Sequence, residues 1–210
     1  MSLAGFQRAF ADLAASPALV EAVRTDAAAA LAGRDLSPRE LARLAHVAGQ
    51  PGMAAQCSLY RITRLAALNS VLPLTLGALR PVLRQLVDPY WDSNPVHEVR
   101  FAVEARRFLA FLDVERDLLG AAAGAAAAAV RDLAAIELAI EEARLAAPAA
   151  GAPPGTVALR TGHPAGQLLA AAPGGLAALA AVPAVPASVL LVPGTPPQLF
   201  EAVPDGAPAP

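Results

Sequence analysis

Leu59–Trp91 reads LYRITRLAALNSVLPLTLGALRPVLRQLVDPYW, and the meaning of its apolar middle decides what kind of fold this chain adopts. Residues 65–79, between Arg64 and Arg80, carry no formal charge. Such a run could be a membrane span, a pair of buried helices, or a docking face for another protein. A span needs about 20 predominantly apolar residues. This run is shorter, holds Asn69, Ser70 and Thr75, and is interrupted by Pro73. Proline removes a backbone donor and clashes with the turn before it, so it ends or kinks a helix. The stretch therefore predicts one helix from Met53 to Val71 and a second from Leu74 to Val87, bent at Gly77 and Pro81. Met53, Cys57, Tyr60, Leu65 and Leu68 supply an approximate apolar stripe on the first.

Upstream, SPRELARLAHVAG (37–49) carries a helix start that depends only on local chemistry. Ser37 is placed to cap, Pro38 occupies the first helical position and Glu40 closes a capping box. Leu41, Leu44 and Ala48 repeat at helical spacing, and Gly49 with Pro51 stops the helix. The N-terminal MSLAGFQRAFADLAAS is amphipathic, with Arg8 and Asp12 inside it, which does not fit a secretory signal. Downstream, Asn94 as cap and Pro95 at the first position predict a helix on which Phe101, Ala105, Phe108 and Leu112 share a face, with Glu104 and Arg107 pointing elsewhere. A long helix is expected from Val114 to Ala146, with Glu137, Glu141 and Arg144 on its solvated side. Its AAAGAAAAA centre has high helix propensity and little side-chain area.

Composition shifts at PAAGAPPG (148–155), which has the make-up of a linker or wide loop. Beyond it, TVALR (156–160) alternates like a half-buried strand with Val157 and Leu159 on one face. HPAGQLLAAA suggests a short helix from Pro164. SVLLV (188–192), fenced by Pro186 and Pro193, reads as a short edge strand, and PPQLFEAV as one or two closing helical turns. The expected architecture is mainly α. A helical bundle over residues 1–147 precedes a small α+β module over 148–210.

The chain has 210 residues and a net charge of −2, with sixteen arginines and no lysine. That balance argues against non-specific nucleic-acid binding, which needs clustered positive charge. The single cysteine, Cys57, excludes an internal disulfide, and His46, His97 and His163 are too scattered to suggest a metal site. No cofactor is expected in this chain, no membrane association, and a cytoplasmic location. Cys57 could be a nucleophile with His46 or His97, although a cysteine on an apolar helix face is more often a small packing residue. Arg61 and Arg64 (i, i+3) and Arg80 and Arg84 (i, i+4) could grip carboxylates or phosphates, or simply be solvated surface charges. An unpaired strand edge in the C-terminal module could accept an extended peptide, or be buried within its own sheet.

The order of these segments resembles a known family. LSPRELARLAHVAGQPGM, the arginine pair of LYRITRL, LPLTLGALRPVLRQLVDPYW and the Phe-rich helix after it are similar to the partner proteins of multinuclear non-haem iron peptide oxidases. The methanobactin-biosynthesis partner proteins are among these. The likeness runs from Leu36 to Leu112 and extends more loosely into TVALRTGHPAGQLL and SVLLVPG. It implies a non-catalytic adaptor subunit that binds a TIM-barrel oxidase, which carries the iron, and recruits the leader of a ribosomally made precursor peptide for oxidative side-chain modification. Arg61 and Arg64, with Tyr90 and Trp91, are then expected on the oxidase-facing surface. Val157, Leu159 and Arg160, or Ser188, Leu190 and Val192, are expected to supply the leader-binding edge. A helical DNA-binding regulator is the competing expectation, and a thiol enzyme using Cys57 comes after it.

Overall fold

The computed structural model describes residues 3–94, 100–146, 156–194 and 196–202. Two compact units emerge: residues 1–66 with 88–98, and residues 67–87 with 99–210. This division does not follow the expected boundary at 147/148, and the expected linker at 148–155 lies outside the described residues.

The first unit is helical. It contains α1 (Leu3–Ala15), α2 (Pro17–Thr25), the single turn α3 (Ala27–Ala30) and α4 (Pro38–Ala48), most of α5 (Gly52–Val71), and the end of α7 (Leu83–Ser93). Short polar side chains set its corners. Ser16 accepts from the Leu19 amide at 3.1 Å to start α2, and Asp26 accepts from the Ala29 amide at 3.0 Å to start α3. The capping box at α4 is complete: Ser37 Oγ accepts from the Glu40 amide, and the Glu40 carboxylate accepts from the Ser37 amide at 2.8 Å. These bonds also hold the Glu40 pKa below its ordinary value. Leu13, Val20, Val23, Leu31, Leu44 and Cys57 close the core.

The second unit is built around α10 (Ala127–Leu145). It holds α6 (Pro73–Leu79), α8 (Phe101–Val114), α9 (Arg116–Ala123), α11 (Ala165–Ala171) and α12 (Gly175–Ala180), with β1 (Val157–Thr161), β2 (Ala187–Val192) and β3 (Gln198–Ala202). The strands form an antiparallel sheet in the order β1-β2-β3. Helix α10 packs against α6, α8, α11 and α12 and against β1 and β2. Val130, Leu133 and Ile136 are fully buried on it. Mainly α with a small α+β module is thus the observed class.

Several local expectations change. The long helix is interrupted where Gly124 adopts φ 57°, a left-handed conformation that glycine takes without strain, which ends α9 before a 3-10 turn leads into α10. Taken together, Arg116–Leu145 is long and apolar enough to cross a membrane, and half of its most apolar window is buried within the protein. The segment after Pro73 is two helices, since Arg80–Val82 breaks α6 from α7. Asn94 follows α7 and its amide donates to Tyr90 O at 2.9 Å, so it sits at a helix end rather than a start; Pro95 lies outside the described residues.

Two strand assignments are corrected. SVLLV is the central strand, not an edge: Pro186 and Pro193 stand outside Ala187–Val192, so every residue in between keeps its N–H for pairing. PPQLFEAV is β3, not a helical turn, because β2 offers it a ladder with Leu190 opposite Phe200 and Val192 opposite Gln198.

Buried carboxylates hold the second unit together. Glu137, 5% exposed, is not a solvated charge: it accepts from the amides of Leu74 and Thr75 at 2.7 and 2.8 Å and so caps α6. Burial pushes its pKa up, while the Thr75 hydroxyl and the two amides pull it down. Asp132 accepts from the Gly162 amide at 2.7 Å and pairs with His163 Nδ1 at 2.8 Å, fixing the turn after β1. Glu201 on β3 accepts from the Ala165 and Gly166 amides at the start of α11. Glu104, expected to point away from the apolar face, is also fully buried.

Candidate functional site

Arg61, Arg64, Tyr90 and Trp91 come together within the first unit, and they face one another. Their positions on α5 and α7 bring an arginine pair at i, i+3 against two adjacent aromatic rings. The Arg61 guanidinium lies 5.2 Å from the Trp91 ring centre, and Arg64 lies 5.0 Å from Tyr90 and 6.0 Å from Tyr60. Arg61 also meets Asp88 at 3.2 Å and Asp92 at 3.5 Å, and Arg64 Nη1 donates to Asn94 O at 2.6 Å. Arg64 and Tyr90 are 0% exposed and Trp91 7%, while the Arg61 side chain keeps 23%.

The expected oxidase-facing surface is therefore corrected: three of these residues are packing groups in this structure. A guanidinium is planar and weakly hydrated, so aromatic faces and a backbone carbonyl can shelter its charge where a lysine ammonium would fare worse. The exposed apolar side chains beside the cluster are Leu59 and Ile62 on α5, which charge and ring content gave no reason to single out.

Cys57 is buried among the core residues of the first unit, and its thiol donates to Leu13 O at 3.4 Å. Burial raises its pKa, partly offset by Arg61, which favours the unreactive thiol. His46 meets Gln50 and His163 meets Asp132; His97 lies outside the described residues. Among the described residues no group of three or more His, Cys, Asp or Glu is placed to hold a metal ion.

The six predicted peptide-contacting residues divide by strand parity. Val157 and Leu159 are half-buried on the face that also carries the buried Val189 and Leu191. Arg160, Ser188 and Leu190 are exposed on the opposite face, and Val192, half-buried, shares the parity of Leu190. Because β2 is paired on both sides, Ser188–Val192 cannot accept another strand; that half of the expected edge is corrected. Strand β1 has one strand neighbour among the described residues, which leaves Val157–Thr161 as an edge.

The outer face has an ordered surface. Ala158, Leu190 and Phe200 stand in register across the three strands, with Leu190 40% and Phe200 53% exposed. Arg160, Ser188 and Ala202 form the adjoining row. With Leu159, Val189 and Glu201 they line a depression of about 490 Å³. Phe200 and Ala202 escape a helical reading of PPQLFEAV; the alternation of Gln198, Phe200 and Ala202 is the sequence signal that would find them.

Comparison with family models, with curated proteins and with solved structures finds no match to this chain.

Proposed function

We propose that this chain is a non-catalytic adaptor that holds the leader of a ribosomally made peptide in extended form while a separate TIM-barrel multinuclear iron oxidase modifies it. The supporting observation is the edge strand β1 beside an exposed apolar row, Ala158–Leu190–Phe200, on the outer face of the sheet. An extended peptide beside an edge gains main-chain hydrogen bonds, and every second side chain lies on the apolar face. The resemblance of residues 36–112 to oxidase partner proteins supplies the oxidase half of the reading. Iron chemistry belongs to the oxidase on this account, and this chain contributes peptide recognition and positioning.

Co-expression with a multinuclear iron barrel oxidase and its precursor peptide tests it. The expected result is a complex of all three and a change in peptide mass that requires this chain. Peptide modification at the same rate without this chain would overturn the proposal. Replacement of Leu190 or Phe200 by Glu should keep the fold and weaken peptide retention, since both side chains project from the sheet.

A further inference from the structure

Arg160 is exposed on the edge strand β1, and among the described residues it has no hydrogen bond or ion pair. Its neighbours along the row of the outer face, Ser188 and Ala202, are small and uncharged, and Glu201, the acid that also lines the depression, is engaged by the Ala165 and Gly166 amides. Two residues back along β1, Ala158 begins the apolar row that continues into Leu190 and Phe200. A side chain from a neighbouring strand would meet no bulk at Ala158 and could reach over it to Leu190. One strand edge thus presents a cation and an apolar shelf two residues apart, on the same face.

Resting on the adaptor reading above, we infer that this edge selects a peptide with a carboxylate opposite Arg160 and an apolar side chain opposite Ala158. Residues i and i+2 of a strand share a face, so the two recognised side chains are separated by one residue. Antiparallel addition continues the pattern of β1, β2 and β3 and is the stronger pairing. A strand running against β1 passes Arg160 before Ala158. The recognised order from N- to C-terminus is therefore Asp or Glu, any residue, then an apolar residue. The guanidinium fork matches a carboxylate and excludes a basic side chain at that position.

Selection of a random linear peptide library by mRNA display on the full-length chain, and in parallel on Arg160→Glu, tests this. The native chain should enrich acid-x-apolar peptides. Arg160→Glu, with unchanged thermal unfolding, should lose about tenfold in affinity for them and enrich peptides with Arg or Lys at the acidic position. Enrichment of extended apolar peptides with no charge preference, or the same preference on both proteins, overturns the inference and leaves the adaptor reading standing; Arg160 is then an edge charge that discourages aggregation. Apolar-x-acid order on the native chain overturns the antiparallel assignment. Failure of both proteins to enrich any peptide overturns the adaptor reading itself.

Discussion

The arginine–aromatic cluster of the first unit and the outer sheet face of the second invert the usual expectation of what is inside and what is outside. The first collects two arginines and two large rings, and buries most of them. The second collects Leu190, Phe200 and two alanines, and leaves them exposed. Charge does not guarantee exposure when rings and a carbonyl replace water around a guanidinium. Apolar character does not guarantee burial when a sheet has a helix on only one of its faces.

Substitution at Arg64 should break that contrast most severely. Arg64→Ala removes a fully buried side chain from between Tyr90 and Tyr60 and frees the Asn94 carbonyl. A loss of about 4 kcal/mol in a urea unfolding experiment is expected. A loss below about 1 kcal/mol would mean the cluster is a solvated surface after all.

Glu137→Ala should follow, at about 3 kcal/mol, because two helix-start amides lose their acceptor in a buried place. Glu137→Gln sharpens the point through pH. Burial raises the folded-state pKa of Glu137 above the ordinary carboxylate range, so the fold holds its proton more tightly than the unfolded chain does. Its contribution is then fully present below the unfolded pKa and is lost as pH rises through the folded pKa. Glutamine mimics the neutral acid at every pH. The Gln variant should therefore gain on the native chain as pH rises through and above the ordinary carboxylate range, read as the difference between their melting temperatures. A constant difference across pH would remove the assignment.

Ser37→Ala is expected to cost about 1 kcal/mol, the ordinary worth of a cap, measured in the same unfolding series. Leu190→Ser and Phe200→Ser should change stability far less than the Arg64 and Glu137 replacements, by under about 1 kcal/mol, since both side chains are about half exposed. The same two variants should lose retention of extended peptides in a binding assay. Large destabilisation from either would mean that the outer face is a packing surface, and the comparison would collapse.

The α4 start was legible because Ser37, Pro38 and Glu40 act within one turn. The helix end at Pro73 and the strand at Val157–Thr161 were legible for the same reason: a missing donor and a two-residue alternation are local. Glu137 was not, because its donors at Leu74 and Thr75 are more than sixty residues away along the chain. On its own helix it stands beside Glu141, which pairs with Arg144 in the ordinary surface manner. The site divided likewise. The strand of Arg160 was legible from alternation and that of Leu190 from a compact apolar run between prolines, while Phe200 was hidden because five residues after two prolines fit a turn as well as a strand.

By itself the sequence determined a mainly helical chain, its principal breaks, a slightly acidic charge balance, and two short strands near the C-terminus. Those are consequences of caps, prolines and side-chain period, all of which act over a few residues. Only the tertiary structure decided that SVLLV is central, that β3 exists, that Glu137 and Arg64 are inside, and that Leu190 and Phe200 are outside. Each of those depends on which distant segment arrives alongside, and a strand or a charge takes its role from that neighbour.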